Sequence, residues 1–545
     1  MPIRNPILAG SYPDPALIRV GETYVLANST FDWWPAVSLH TSTDLANWTP
    51  VPSPIRRADQ LDLRGVASSF GVWAPDISYA HGLYWLVVTN VKSVHASFTD
   101  CANYLFTCPT LDGDWDGPYP LDGVGFDARL FHDTDGRDYL VQQTCDFRED
   151  RPPFAGVTLT ELDRATMRLK PRTQRIIWAG SSAGSVEGPH LYHINGWYYL
   201  VCAEGGTGWE HRVSVARSRT LDAGSFEESP HNPLITSVDD PTLPLQKQGH
   251  ASFVDTPDGD WYMAYLCARP WRAADDAPDC RGWCTLGRET ALQRLEWTDD
   301  GWPLVVGGPH GRLEIEAPHE PVTQIANHAV HDDFTSPRLD SAWKTPRVPF
   351  ERMGTTGDGA LTLTGQGSPC DAFDLSLVAR RWTDHAFDAA VTVAFDPWNF
   401  QQMAGLTNYY GSTLWSWAYV TWDDRRACPT LEVCENADDH TTTFLRGSVP
   451  VPAGTRSVRL RTRVRTSTYT YDYAFDDGDW QGTGVWLDAR TLSDDYAWQH
   501  GRGFFTGAFV GMCAVDMSGF GAQARFTDFD YDPAVGATDD GKDPV

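Results

Sequence analysis

Asp14, Asp127 and Glu187 are carboxylates that each stand just ahead of an aromatic run, and Asp76 and His250 hold the corresponding place in two further segments. In every case a polar turn follows and then the aromatic run: Asp14 before GETYVL, Asp76 before HGLYWLVV, Asp127 before DGRDYLV, Glu187 before NGWYYLV and His250 before DGDWYMAYL. An acid placed beside aromatic side chains can give or take a proton next to a surface that suits the apolar face of a sugar ring. A pair of such acids is what cleavage of a glycosidic bond by acid–base chemistry requires.

The five segments recur roughly every 55 to 63 residues, the length of a four-stranded blade with its connections. This spacing predicts a five-bladed β-propeller. If each polar residue lies on the innermost strand of its blade, all five point at one axis and residues far apart in sequence become neighbours.

Each carboxylate also has a plainer reading. Asp14 lies between Pro13 and Pro15, which forbid a helix and present it from a rigid extended segment, but an Asp in PDP can also cap its own turn. Glu187, followed by Gly188 and Pro189, can be a desolvated proton donor or an exposed loop residue. Asp127 in GVGFDARLF can serve the same site or bond its local backbone at a blade edge.

At 545 residues the chain predicts two or three domains. Its 23 Trp, 20 Tyr, 24 Phe, 47 Gly and 37 Pro describe a turn-rich, strand-rich globular protein. A net charge of -29 opposes binding to nucleic acid or to an anionic membrane, and no apolar run is long enough to span a bilayer. A small neutral oligosaccharide is compatible with that charge. The N-terminal MPIRNPILAG lacks the charged and apolar regions of a secretory leader, and the eleven scattered Cys suit reduced thiols, so a cytoplasmic location is expected.

The blade rhythm stops near residue 318. A propeller domain over 1–318, a linker over 319–331, a β-sandwich over 332–533 and a flexible tail over 534–545 are expected. Strict alternation marks the sandwich: Val458, Leu460 and Val464 against Arg459, Arg461, Arg463 and Arg465, then Tyr469, Tyr471 and Tyr473. Two other signals are discounted. GSSAG at 180–184 precedes a strand and not a helix, and Cys280 and Cys284 lack a second ligand pair.

The strings NPILAGSYPDPALIRVGETYVLANSTFDWWP, GVWAPDISY, GFDARLFHDTDGRDYLV, EGPHLYHINGWYYL, CAEGGTGWEH, KQGHASFVDTPDGDWY and LGRETALQRLEW, in that order, resemble glycoside hydrolase family 43, specifically its two-domain β-xylosidases. HDDFTSPRLDSAW and GFFTGAFVGMCAVD resemble the C-terminal sandwich of that group. The resemblance implies an all-β chain, a five-bladed β-propeller followed by a concanavalin-like β-sandwich. It also implies an inverting exo-acting enzyme that releases xylose from the non-reducing end of β-1,4-xylooligosaccharides.

By their places in the family motifs, Asp14 would be the general base, Glu187 the general acid, and Asp127 the group that orients the acid and tunes its pKa. Inversion asks for about 6.5–9.5 Å between base and acid, room for a water. Phe31 and Trp73 match the sugar pocket, with blade-core packing as the alternative. Arg288 matches an arginine that contacts substrate hydroxyls, with a salt bridge to Glu289 or another acid as the alternative. Phe504 or Phe505 would close the pocket from the sandwich. His250 matches a histidine near the propeller axis that in some relatives faces a water or a calcium ion, so calcium is the one optional cofactor and none is required; a satisfied core His is the alternative. Similar enzymes commonly form homo-oligomers. The chain departs from the xylosidase pattern at Cys145 and Phe147, on either side of Asp146, where Trp-Asp-His is usual, a change expected to enlarge or reshape the pocket near the sugar. An α-L-arabinofuranosidase is therefore the nearest alternative, and a non-catalytic sugar-binding propeller is the alternative of another class.

Overall fold

The computed structural model describes residues 2–95, 97–318, 323–324, 329–437, 440–443 and 448–533. The expected tail 534–545 and most of the expected linker 319–331 lie outside them. Two compact units are present: Met1–Leu61 with Phe70–Pro270 and Arg288–Ile325, and Asp62–Ser69 with Trp271–Gly287 and Ala326–Val545. The units do not part cleanly at residue 318, because two segments from within the propeller sequence group with the second.

Unit one is the five-bladed propeller. Its inner strands are Ala16–Val20, Gly71–Ala80, Arg129–His132, Glu187–Ile194 and Gln246–Asp255, and each leads an antiparallel sheet of four or five strands. Neighbouring blades share apolar cores: Leu17 and Tyr24 with Val254 and Tyr262, Trp85 with Leu130, Tyr139 with Leu200, and Tyr199 with Phe253. The ring is closed by its own N-terminus. Ile3–Arg4 pairs with Glu314–Ile315, and the side chain of Asn5 both donates to the Leu292 carbonyl and accepts from its N–H, at 2.8 Å each.

The inner strands begin in one way. Their first regular pairs are Ala16 with Ala27, Asp76 with Val87, Arg129 with Val141, His190 with Val201 and Ser252 with Ala264. Two residues ahead of these stand Asp14, Ala74, Asp127, Gly188 and His250. Four of those five have left-handed backbone, with φ of 56° at Asp14, 54° at Asp127, 56° at Gly188 and 49° at His250. Asp, His and Gly are the residue types that tolerate this region best, which accounts for what the sequence places there. The five polar positions read from the sequence are thus not equivalent. Asp14, Asp127 and His250 are, whereas Glu187 sits one residue earlier and Asp76 two residues later.

Bonds between blades hold these turns. Ser252 Oγ accepts from Leu17 N–H at 3.0 Å and donates to the Pro15 carbonyl at 2.9 Å; Asp76 accepts from Leu130 N–H at 2.9 Å; and Phe253 N–H donates to the Tyr192 hydroxyl at 2.7 Å. All eleven cysteines are free thiols. Among the described residues no helix is long and apolar enough to cross a membrane.

Unit two is a two-sheet antiparallel sandwich, with one short α-helix among the described residues, Asp494–Gln499. The alternation read from sequence is realised: Val458, Leu460 and Val464 are buried. The arginines of the same strand face the other way, where Arg461 and Arg463 meet Asp472 at 2.6 and 2.7 Å and Arg465 meets Asp388 at 2.8 Å. The two sheets are also pinned by one buried hydroxyl. Tyr471, in Thr468–Phe475 of one sheet, accepts from Asn408 N–H and Nδ2 at 3.2 and 2.9 Å and bonds Ser416 Oγ at 2.8 Å in the other. Tyr471→Phe should remove all three bonds, leaving Asn408 Nδ2 only its bond to Thr462 Oγ1 at 3.0 Å, and cost about 1–3 kcal/mol, read as a lower Tm of this unit by calorimetry.

Candidate active site

Asp14, Asp127 and Glu187 come together at the propeller axis, close enough that the charge of Asp14 lifts Asp127 and the charges of both lift Glu187. Asp14 is buried, its Oδ2 accepting from the Ser29 hydroxyl at 2.6 Å and its Oδ1 lying 3.3 Å from Arg288 Nη1 and 3.6 Å from His250 Nδ1. It does not cap its own turn. Arg288 is placed there by the closure of the ring: Tyr12 N–H donates to its carbonyl at 3.0 Å, and the neighbouring Thr290 hydroxyl bonds both the Tyr12 carbonyl, at 2.5 Å, and Asn28 Nδ2, at 2.9 Å. The guanidinium also donates to Thr207 Oγ1 at 2.6 Å. Glu289, the bland partner considered for Arg288, is taken by Arg269 at 2.6 Å.

Asp127 is delivered by a loop laid along the strand Asp138–Cys145. Gln143 N–H donates to the Phe126 carbonyl at 3.2 Å, Cys145 N–H to the Val124 carbonyl at 3.1 Å, and Asn103 Nδ2 to the Gly125 carbonyl at 3.1 Å. Asp127 Oδ2 then accepts from Gly188 N–H at 2.9 Å, tying it to the residue that follows Glu187. Glu187 itself is half-buried, recessed among protein atoms yet open to solvent, as a group that meets a substrate must be.

The electrostatics separate the three acids. Burial alone would lift Asp14, but Arg288 foremost, with His250, the Ser29 hydroxyl and His211, holds it below the ordinary carboxylate value. His250 and His211 are themselves pushed down to about 3, first by burial, so they are neutral at pH 7 and the permanent cation beside Asp14 is Arg288. Asp127 is raised to about 7 by burial and then by the charge of Asp14. Glu187 is raised well above its ordinary value by burial, then by Asp127 and Asp14, with only Arg288 opposing. One acid is thus held ionised and another protonated in the same place, which is the division of labour that general base and general acid need.

Phe31 and Trp73 share a side of this site. Phe31 and Val72 exchange backbone hydrogen bonds at 2.9 Å, which sets Phe31 one residue from Trp73 across blades. The Phe31 ring lies 5.7 Å from the Arg288 guanidinium, and Trp73 packs edge-on against Phe126 at 5.2 Å. Phe504 and Phe505 belong to unit two, where their rings lie 4.4 Å apart and Phe504 meets Trp498 edge-on.

Motif reading passed over Ser29, Thr207, His211 and Arg129. Arg129 could have been found by aligning the blades, since it stands two residues past Asp127 as Asp76 stands two past Ala74. Its guanidinium donates to the Pro75 carbonyl at 2.6 Å, lies 3.5 Å from Asp76 Oδ1 and donates to His250 Nε2 at 2.9 Å. With Nε2 accepting, the proton of His250 sits on Nδ1, facing Asp14. His250 thus lies between the Arg129 guanidinium at Nε2 and the Asp14 carboxylate at Nδ1. One step further along the inner strands lies a cavity of about 90 Å³ bordered by Asp76, Arg129, His190 and Leu17.

A five-bladed propeller whose axis carries buried acids at opposed protonation is, as a class, a glycoside hydrolase. Residues 3–303 match the model of the glycosyl hydrolases family 43, and residues 331–532 match that of the beta xylosidase C-terminal concanavalin A-like domain. The beta-xylosidase of Bacillus subtilis is 44% identical over 97% of this chain and 99% of its own. The xylosidase/arabinosidase 43B of Humicola insolens is 38% identical over 98% and 99%. The crystal structure of the xylan beta-1,4-xylosidase from Bacillus halodurans superposes with a TM-score of 0.92 at 39% identity, covering 97% of this chain and all of that one. The chain belongs to glycosyl hydrolase family 43.

A Cβ added at Gly125 would lie 1.8 Å from the Gln143 carbonyl oxygen, so the loop that carries Asp127 depends on this residue's having no side chain. Gly125→Ala should displace Asp127 and lower kcat/KM on an aryl glycoside by roughly tenfold to a hundredfold, the cost of a displacement near 1 Å, together with a lower Tm.

Proposed function

We propose that the protein is an inverting exo-β-xylosidase that removes xylose from the non-reducing end of β-1,4-xylooligosaccharides. The observation that carries this reading is the opposed tuning of Asp14 and Glu187 at one axis. In it Asp14, ionised beside Arg288, takes the proton of a water as that water attacks the anomeric carbon. Glu187, kept protonated by burial and by the neighbouring carboxylates, gives its proton to the leaving glycosidic oxygen. Asp127 holds the segment after Glu187 through Gly188 N–H and supplies part of the negative charge that keeps the acid protonated. Phe31 and Trp73 border the sugar, and Arg288 serves both Asp14 and the substrate hydroxyls. The names borne by the relatives in Bacillus subtilis and Bacillus halodurans support the choice of xylose. A sugar-binding protein without turnover has no use for an acid and a base tuned apart.

A second reading, α-L-arabinofuranosidase activity at the same site, is favoured by Cys145 and Phe147 and by the dual name of the Humicola insolens relative. A proton NMR time course of xylobiose and of an arabinofuranosyl substrate tests both readings. Initial release of α-xylose from the β-linked disaccharide is expected; β-xylose would overturn inversion, and release of arabinose alone would overturn the xylosidase assignment.

The pH profile follows from the same tuning. Asp14 works ionised and its pKa is lowered, so activity should fall on the acid side only below the ordinary carboxylate value of 3.8. Glu187 works protonated and its pKa is raised, so activity should fall on the alkaline side as pH climbs through the value of the Glu187–Asp127 pair, well above 4.5. Asp127→Asn removes one of the charges that lifts Glu187, and the alkaline limb of kcat/KM should move to lower pH. An unmoved limb would remove Asp127 from this role.

A further inference from the structure

Three side chains of the types that ligate metals converge where the second and third blades meet, and the reaction uses none of them. His81 lies in the turn between Gly71–Ala80 and Leu83–His95, His132 is the last residue of Arg129–His132, and Asp138 is the first of Asp138–Cys145. His132 Nδ1 is 2.7 Å and His81 Nε2 3.3 Å from Asp138 Oδ1, and the three ligand atoms all lie within 4.8 Å of one another. His132 stands five residues beyond Asp127, roughly 16 Å along an extended strand, so the cluster is remote from the catalytic carboxylates.

The cluster is held ready. The Asp138 side chain is 3% exposed, and although burial works to lift it, the hydrogen bond from His132 and the charge of Arg164 keep it below its ordinary value. The second nitrogen of His132 meets the Ser78 hydroxyl at 3.1 Å, a partner that fixes the ring. His81 has left-handed backbone, φ 56°, and its ring stands edge-on to that of His132 at 5.7 Å. The cluster also attracts a cation: Arg164 Nη1 lies 3.2 Å from Asp138 Oδ2 and bonds His81 Nε2.

We propose that His81, His132 and Asp138 form a binding site for a divalent transition metal ion of the zinc class, which clips the second blade to the third. Two imidazoles and a carboxylate are a zinc donor set, whereas calcium and magnesium ask for oxygen alone. Tetrahedral bonds of about 2.0–2.1 Å set ligand atoms about 3.3 Å apart. The His81 to Asp138 separation already fits, and His132 has to retreat by about 0.6 Å. Arg164 occupies the ion's place as a monovalent stand-in, and its side chain, 40% exposed, is free to turn outward when the ion enters.

The test is calorimetric titration of zinc chloride into tag-free, chelator-stripped full-length protein, alongside the variants His81→Gln, His132→Ala and Arg164→Ala. A saturable site of one ion per chain is expected. Each histidine variant should weaken it at least about tenfold, and Arg164→Ala should tighten it because the competing cation is gone. His81→Gln, in a surface turn, keeps the test available if His132→Ala fails to fold. Absence of a saturable site, zinc affinity indifferent to both histidines, or an Arg164→Ala variant that binds no more tightly than the parent would each overturn the proposal.

Discussion

Three carboxylates gathered where water is scarce cannot all be ionised, and the organisation of the propeller axis follows from that repulsion. Each pKa unit of displacement is worth about 1.4 kcal/mol, so Asp127, raised to about 7, costs a few kcal/mol to ionise beside Asp14, and Glu187 is raised well above its ordinary value as well. The remedy is asymmetric. One guanidinium, Arg288, lies against Asp14 with a hydroxyl from Ser29, and the other two acids are left to share what negative charge the site tolerates. Which acid becomes the base and which the proton donor is therefore decided by where the cation stands. That place is fixed by ring closure: the segment that brings Asp14 bonds along the strand that follows Arg288, so the first blade meets the fifth and the base meets its cation in one joint.

Aiming the side chains at the axis carries its own cost. Left-handed backbone at a non-glycine residue is worth about 1–2 kcal/mol of strain, and Asp14, Asp127 and His250 each carry it. The bonds from Ser252 to the first blade, from Asp76 to the third and from Asp127 to the fourth are the over-determination that lets such turns persist. Arg129 joins two of these layers. It rests on the Pro75 carbonyl and Asp76 and fixes the tautomer of His250, whose protonated nitrogen faces the base. The axis is stiff because Asp14, Asp127 and Arg129 are each held by the blade next door.

Much of this was legible in the sequence because radial repetition leaves a long period in residue type. The blade count, the three carboxylates and the alternating strand from Val458 to Arg465 all followed from period and residue type. Register did not. Asp76 and Glu187 looked equivalent to Asp14, but irregular pairing between Trp73 and Asp76 and between Glu187 and His190 shifts them along their strands. A bulge leaves no mark in a two-residue alternation. Thr207 and Arg129 were missed because their importance lies in partners from other blades, Ser29 because its partner Asp14 is met only when the first hairpin folds back, and the grouping of Asp62–Ser69 and Trp271–Gly287 with the second unit rests on non-local contacts. The arginine-rich strand shows the converse. Its alternation predicts one wet face, and on that face Asp472 and Asp388 pair the arginines within the sandwich.

The departure at Cys145 and Phe147 shows how catalysis and specificity are divided within this site. Cys145 lies near enough to feel the charge of Asp127 and Glu187, but burial pushes its thiol up, so it stays neutral and adds nothing to the balance among the acids. It donates to Gln143 Oε1 at 3.3 Å, within the strand that carries the loop of Asp127. Phe147 turns outward and stacks on Phe98 at 4.5 Å, each ring more than half exposed. A neutral thiol and an outward aromatic pair leave the opposed tuning of Asp14 and Glu187 intact. The cations and inter-blade bonds fix the chemistry at the axis, and the segment after Gln143 is where the choice of sugar can vary without disturbing it.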